Sequence, residues 1–335
     1  MSTRKLSRQQ RWRVEKVQAE RNARASRRDE NDRGKLEAGE YGPEQPGRVI
    51  AHFGRTLDIE ANDGSVHRCH RRANLDSLVT GDRVSWREAN DGTGVVVARG
   101  ERDSTLERPD HRGQLKPVAA NIDRILIVFA AEPVPHPNLI DRYLIAAETT
   151  EIQPALVLNK VDLLPPHGGE LRELLARYQG LGYEVINATV REDGGLEELR
   201  QNLAERTSVF VGQSGVGKSS LINALLPDEE LKVGALSEDT RKGTHTTTTA
   251  KLYHFPAGGD LIDSPGIREF GLMHLDERQV AEGFIEFRPH LGHCRFRDCR
   301  HVHEPGCAIL KAVEQGEISA TRFDSFRRII ASLST

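Results

Sequence analysis

The run Gly212-Gln213-Ser214-Gly215-Val216-Gly217-Lys218-Ser219 has residue types and spacing that spell a definite chemistry. It fits the pattern G-x-x-x-x-G-K-[ST]. The apolar run Val209-Phe210-Val211 precedes it and a helix expected over 219–226 follows, which is the context the pattern requires. Glycines let successive backbone N–H groups converge on phosphate oxygens, and a helix N-terminus adds its positive dipole. Lys218 would neutralise β- and γ-phosphates, and Ser219 would ligate Mg²⁺ through its hydroxyl.

A second group belongs to the same chemistry. Asp263-Ser264-Pro265-Gly266 follows the apolar pair Leu261-Ile262. A carboxylate at the end of a buried strand is where phosphate-loop proteins keep their Mg²⁺-side Asp. Gly266 would let a backbone N–H approach the γ-phosphate. Between the two motifs, residues 234–249 form a polar loop ending in Gly243-Thr244-His245-Thr246-Thr247-Thr248-Thr249. A Thr hydroxyl from such a loop completes the Mg²⁺ shell when the triphosphate is bound. Thr247 is the first candidate and Thr246 the second. Ile267 follows Gly266, where related enzymes place a water-orienting Gln. An Ile cannot orient water, so His245 is the candidate for that task.

Asn159-Lys160-Val161-Asp162 selects the base. A guanine edge offers two parallel donors, N1–H and N2–H₂, which one carboxylate accepts together. Adenine has no such pair, so Asp162 argues for guanine and against an ATPase. Asn159 would brace the loop, and the Lys160 stem would cover the ring face. Asn187-Ala188-Thr189 is the candidate for the short loop that touches the guanine from behind.

The order of these motifs is unusual. The guanine motif precedes the phosphate loop, so the domain reads as circularly permuted, which is tolerable when the original ends lie close together. The segment after Asp263 also runs into the C-terminal part, where a phosphate-sensing loop could pull on it. That part holds Cys294-x₄-Cys299-x-His301-x₅-Cys307. Three thiolates and an imidazole suit tetrahedral Zn²⁺, and a closed set of four protein ligands is structural. His293 and His303 compete for the nitrogen position, and Arg295, Arg297 and Arg300 surround the cluster.

The elements that must position these residues follow from periodicity. Strands are expected at Ile125-Leu126-Ile127-Val128-Phe129, Ala155-Leu156-Val157-Leu158, 183–187 and Val209-Phe210-Val211, and helices at 139–148, 169–181, 195–204 and 219–226. This alternation predicts a parallel sheet covered by helices on both faces, spanning 115–284. Residues 46–105 differ. Short β-branched runs separated by Asn-Asp-Gly turns predict a small β-barrel of OB type. Its basic residues Arg48, Arg55, Arg68, Arg71 and Arg72 favour a nucleic-acid surface. Residues 285–335 are expected as a separate zinc-binding module with helices. Residues 1–45 read as a basic, disordered arm: positions 1–35 carry 12 Lys and Arg against 5 Asp and Glu, which suits a polyanion.

The net charge of the 335 residues is -3, which by itself points to no partner. No run of about 18 apolar residues is present, so no membrane-spanning helix is expected. No signal peptide is evident, and four cysteines fit a reducing, cytoplasmic compartment.

The ordered set N-K-V-D, G-Q-S-G-V-G-K-S-S, G-T-H-T-T-T, D-S-P-G and the Cys/His cluster resembles the ribosome small subunit-dependent GTPase A family (RsgA, also called YjeQ) over residues 46–330. The resemblance implies an OB domain, a permuted GTPase and a zinc module. It also implies a bacterial factor for late maturation of the 30S subunit, with GTP or GDP and 16S rRNA as partners; a monomer is expected. GTP hydrolysis would be stimulated by the subunit and drive release. It carries nucleotide roles to Asn159, Lys160, Asp162, Gly212 through Ser220 and Asp263, zinc roles to Cys294, Cys299, His301 and Cys307, and the switch histidine to His245. A competing reading is an rRNA-binding assembly module that uses GTP or GDP as a structural switch with little turnover.

Overall fold

The computed structural model describes residues 41–54, 56–72, 75–110, 113–165, 169–227, 250–263 and 275–333. The basic arm up to residue 40, and the loop carrying His245, Thr246 and Thr247, lie outside the described residues, as do Gly266 and Ile267. The chain divides into two compact units, residues 1–101 and 102–335.

The first unit contains β1 (Gln45–Phe53), β2 (Thr56–Ala61), β3 (Val66–Arg71), β4 (Arg83–Glu88) and β5 (Gly94–Arg99). They run in the order β1-β2-β3-β5-β4, and β4 pairs back onto β1, which closes a five-stranded barrel. The β3–β5 pairing is parallel and the others antiparallel. Alternation along each strand turns Val49, Leu57, Ile59, Cys69, Val84, Trp86 and Val96 inward. The pairing starts earlier than the expected boundary at 46, since Tyr41 already bridges to Ala89.

The second unit opens with a hairpin, β6 (Thr105–Pro109) and β7 (Leu115–Ala120). Six strands then form its main sheet: β8 (Arg124–Ala130), β9 (Gln153–Asn159), β10 (Glu184–Ala188), β11 (Thr207–Val211), β12 (Lys251–His254) and β13 (Asp260–Asp263). Their order is β10-β9-β8-β11-β13-β12, all parallel except β12. Every residue of β8 and β11 is buried. Such continuous apolar runs mark strands covered on both faces. The covering helices are α1 (Pro137–Glu148), α2 (Gly169–Gly180), α3 (Glu197–Leu203) and α4 (Lys218–Leu225). In α2, for example, Leu171, Leu174, Leu175 and Tyr178 recur at helical spacing and are buried.

The C-terminal residues add α5 (Glu277–Gly283), a 3₁₀ turn (Ile285–His290), α6 (Ala308–Glu314) and α7 (Ala320–Leu333). Helix α5 starts on a capping box between Asp276 and Gln279. Phe284, Phe287 and Phe326 pack ring against ring at centroid distances of 4.9 to 5.7 Å. Ile145 and Ala146 of α1 belong to the same core. The segment expected as a separate module therefore shares its interior with the sheet's first helix.

Candidate active site and metal centre

The parallel strands bring the sequence motifs to one edge. In register, Ala130, Asn159 and Ala188 end β8, β9 and β10 side by side. The phosphate loop leaves the end of β11 and Asp263 ends β13. Ligands of open α/β sheets bind outside these carboxyl ends.

The phosphate loop is shaped by two glycines. At Gly212 φ is 138°, and a Cβ there would lie 2.1 Å from the Val128 carbonyl oxygen. Only glycine lets the chain pass that closely over β8. Gly217 has φ 90° and directly precedes α4. A Cβ there would lie 2.4 Å from Asn159 Nδ2. Val216 is buried as a peg, while Ser214 and Gly215 face solvent. Lys218 Nζ donates to the carbonyls of Gly212 at 2.5 Å and Gln213 at 2.7 Å, so its charge sits over the loop. Helix α4 uses Leu221 N–H, bonded to Gly217 O at 3.0 Å, to begin its ladder. The amides of its first turn have no partner within the helix. Ser219 and Ser220 lie in that turn, half-buried and exposed respectively.

The expected guanine loop is fastened to the phosphate loop. Asn159 Nδ2 donates to Val216 O at 2.9 Å. Lys160 adopts a left-handed conformation, φ 58°, which turns its side chain back across the edge. Its Nζ donates to Gly215 O at 2.9 Å and to Glu132 O at 2.7 Å. Asn159 is buried, yet its Oδ1 has no hydrogen-bond partner among the described residues. A buried polar atom of this kind calls for a donor that the described residues do not supply. Asp162 lies in the exposed 3₁₀ turn Val161–Leu163. One of its oxygens accepts from Thr189 Oγ1 at 2.5 Å.

Within the trio 187–189 the roles divide. Asn187 faces away, its backbone N–H and Nδ2 directed at Glu198 Oε2 on α3, at 2.9 and 3.4 Å. Ala188 is buried beside Asn159. Thr189, which carried no role of its own in the sequence reading, is the residue that reaches Asp162. The Glu132 carbonyl was also missed, because every residue has a carbonyl and no residue type signals this one. Asp263 is half-buried at the β13 end and pairs in register with Lys251.

The second centre lies in the C-terminal part. Ligand atoms of Cys294, Cys299, His301 and Cys307 all fall within 4.8 Å of one another. Cys294 and Cys307 sulfurs are 3.9 Å apart, and His301 Nδ1 is 3.4 Å from each. A tetrahedron with Zn–S bonds of about 2.3 Å has edges of about 3.8 Å, so the spacing fits Zn²⁺. His301, rather than His293 or His303, supplies the nitrogen. Its left-handed backbone, φ 61°, aims the ring at the sulfurs. Burial favours its neutral form against the pull of Glu304. Burial, together with Cys307 and Cys294, pushes the Cys299 thiol up to about 12, and burial shifts Cys307 the same way. Three thiolates at this distance need a cation among them. Glu304 ties down the ligand loop by accepting from the backbone N–H groups of Arg300, Val302 and His303 at 2.9 to 3.1 Å.

Comparison with known proteins agrees with this geometry. A family model described as RsgA GTPase matches residues 99–273. A protein of Chromohalobacter salexigens named "Small ribosomal subunit biogenesis GTPase RsgA" is 70% identical over 339 residues, covering 100% of both chains. A protein of the same name from Hahella chejuensis is 59% identical, covering 99% of this chain and 97% of its own. Among solved structures, YjeQ from Thermotoga maritima superposes with TM-score 0.70 at 30% identity, over 87% of this chain and 99% of its own. YloQ, described as a circularly permuted GTPase, gives 0.69 at 28% identity, over 87% and 96%. The chain therefore belongs to the RsgA GTPase family, as a circularly permuted, GTP-hydrolysing enzyme.

Proposed function

We propose that this GTPase acts in the biogenesis of the small ribosomal subunit. In this reading it binds the 30S particle through 16S rRNA as a cytoplasmic monomer, and hydrolysis stimulated by the subunit releases it. Identity of 70% along the full length to a protein named for that process supports the assignment.

The observation that carries the nucleotide assignment is the pair of bonds from Asn159 to Val216 and from Lys160 to Gly215. They make the base-reading loop and the phosphate-reading loop one piece. In this reading Asp162 accepts N1–H and N2–H₂ of guanine, and the Lys160 stem lies along the ring. The loop amides from Gln213 to Ser220 hold the phosphates, with Lys218 drawn from the loop carbonyls onto the β- and γ-oxygens. Ser219 and Thr247 would hold Mg²⁺ with Asp263 behind it, and the ion would neutralise developing phosphate charge. His245 orients the water whose oxygen attacks the γ-phosphorus. The bond to the β–γ bridging oxygen breaks, giving GDP and phosphate. Zinc, one per chain, would cross-link Cys294, Cys299, His301 and Cys307 and take no part in the chemistry.

Phosphate release measured with and without saturating small subunits tests this. Wild type should be slow alone and strongly stimulated by subunits. His245→Ala should keep GTP binding and lose most of the stimulation. Wild-type turnover unmoved by subunits would instead favour an assembly module that holds nucleotide as a structural switch.

A further inference from the structure

Away from the nucleotide edge lies a set of buried charges that neither hydrolysis nor zinc uses. Arg322 of α7, Asp141 of α1 and Glu286 of the 3₁₀ turn have side chains only 7%, 2% and 7% exposed. Arg322 forks onto both Glu286 oxygens, at 2.6 and 3.0 Å, and also donates to Asp141 Oδ1. Tyr178 of α2 donates to the same Asp141 oxygen at 2.6 Å. The guanidinium stacks 4.5 Å above the Phe284 ring. Well-packed apolar residues commonly serve stability as well as a buried ionic cluster does, whereas such clusters are good at fixing one register between elements.

The register fixed here is that of α1 against the C-terminal part. Contacts run the length of the helix. Asn138 Nδ2 donates to Ser325 O at 3.2 Å and Oγ at 3.0 Å, and Arg142 donates to Ser332 Oγ. Ile145 fills the space beside Gly283, where a Cβ would lie 2.6 Å from its Cγ2. Glu148 accepts from Arg288 at 2.6 Å. The segment that leads from β8 into α1 meets the guanine loop. His136 Nδ1 caps the helix by accepting from Asn138 N–H at 3.2 Å. Just before that cap, Ala131 N–H donates to Asn159 O at 3.2 Å, and Glu132 O accepts Lys160 Nζ.

We propose that α1 is a strut that transmits the position of the C-terminal part to Lys160, with Arg322 as the positioning residue and nucleotide retention as the property it sets. The inference rests on the assignment of Lys160 to a guanine nucleotide. A helix held along its length by the C-terminal part, with its entry segment bonded to the guanine loop, couples the two without any shared ligand. This route reaches the base side of the site and is separate from the chain that continues after Asp263.

Dissociation of fluorescently labelled GDP from the full-length protein, zinc content checked, tests it. Arg322→Met should release GDP about threefold or more faster, within the range that mutations along a coupled route produce. Phe326→Leu, which loosens the same core without touching the charges, should stay within about twofold of wild type. Equal dissociation from wild type and Arg322→Met overturns the proposal, as does equal acceleration by Phe326→Leu. If Arg322→Met does not fold, Asn138→Ala decides on the same criteria. A wild-type protein that fails to retain labelled GDP would sink the nucleotide assignment itself, a different outcome from a strut that carries nothing.

Discussion

The Cys/His cluster and the nucleotide edge reach order by opposite routes. Thirteen positions separate Cys294 from Cys307, and the four ligands share one short loop. At the nucleotide edge the decisive bonds join Asn159 to Val216, 57 positions apart, Lys160 to Gly215, 55 apart, and Asp162 to Thr189, 27 apart. The first site is local and asks for an ion to hold its sulfurs together. The second is made of side chains that reach backbone carbonyls and one another only because a parallel sheet brings their loops together. A local site should therefore fail when its ion is lost, and an assembled one when backbone geometry changes.

The largest expected effect is metal loss. Structural zinc contributes on the order of 10 kcal/mol of folding free energy to small modules. Cys299→Ala, or chelation of wild type, should abolish zinc binding. Amide exchange should then rise sharply at Ile309 and Ile329, while β8 and β9 keep their protection. If protection falls equally in β8 and β9, the two regions are one cooperative unit and the contrast collapses.

Base selection comes next. Asp162→Asn replaces an acceptor with a donor facing the guanine amino group. A hydrogen bond to a charged group is worth about 1.5–3 kcal/mol, so GTP affinity should fall roughly 10- to 100-fold, with xanthosine triphosphate binding gained. Unchanged GTP affinity in a titration would remove Asp162 from the site.

Gly217→Ala probes the seam between the two loops. The new methyl would meet Asn159 Nδ2 at 2.4 Å in a left-handed backbone, and such strain costs of order 1–3 kcal/mol. GDP should bind roughly tenfold more weakly, with loss of both base and phosphate contributions. A variant that weakens GTP but leaves base preference intact would show that the loops act independently.

The smallest effect belongs to Thr189. Its hydroxyl holds one Asp162 oxygen, and a net hydrogen bond contributes about 1 kcal/mol. Thr189→Val should cost about fivefold in GDP affinity and narrow the preference for GDP over IDP, which lacks the 2-amino donor. Thr189→Ser should restore both. An affinity loss with the preference unaltered would make Thr189 merely a packing residue.

Most of the sheet was readable because parallel strands buried on both faces are unbroken apolar runs. Expected 125–129 and 155–158 became Arg124–Ala130 and Gln153–Asn159. Strand β2, the hairpin β6–β7 and β12 went unread. In Thr105–Pro109 charged or proline positions outnumber the apolar ones, and Lys251–His254 is only four residues long with a polar residue at each end; cross-strand pairing, invisible in a single segment, makes them strands. The C-terminal helices showed apolar faces, but a face does not declare its partner. That α1 provides it became evident only from the shared core around Ile145 and Phe284.

Taken alone, the sequence determined which chemistries are available: a phosphate loop, a carboxylate suited to guanine, a Cys₃His set and the permuted order in which they occur. These follow from residue type and short spacing, which the covalent chain fixes. Tertiary structure decided the rest. It turned Asn187 toward Glu198 and set Thr189 on Asp162, chose His301 over two nearby histidines, and used the Glu132 carbonyl to seat Lys160. Each of those outcomes depends on a direction in space. Backbone conformation and packing set that direction, and residue identity leaves it open.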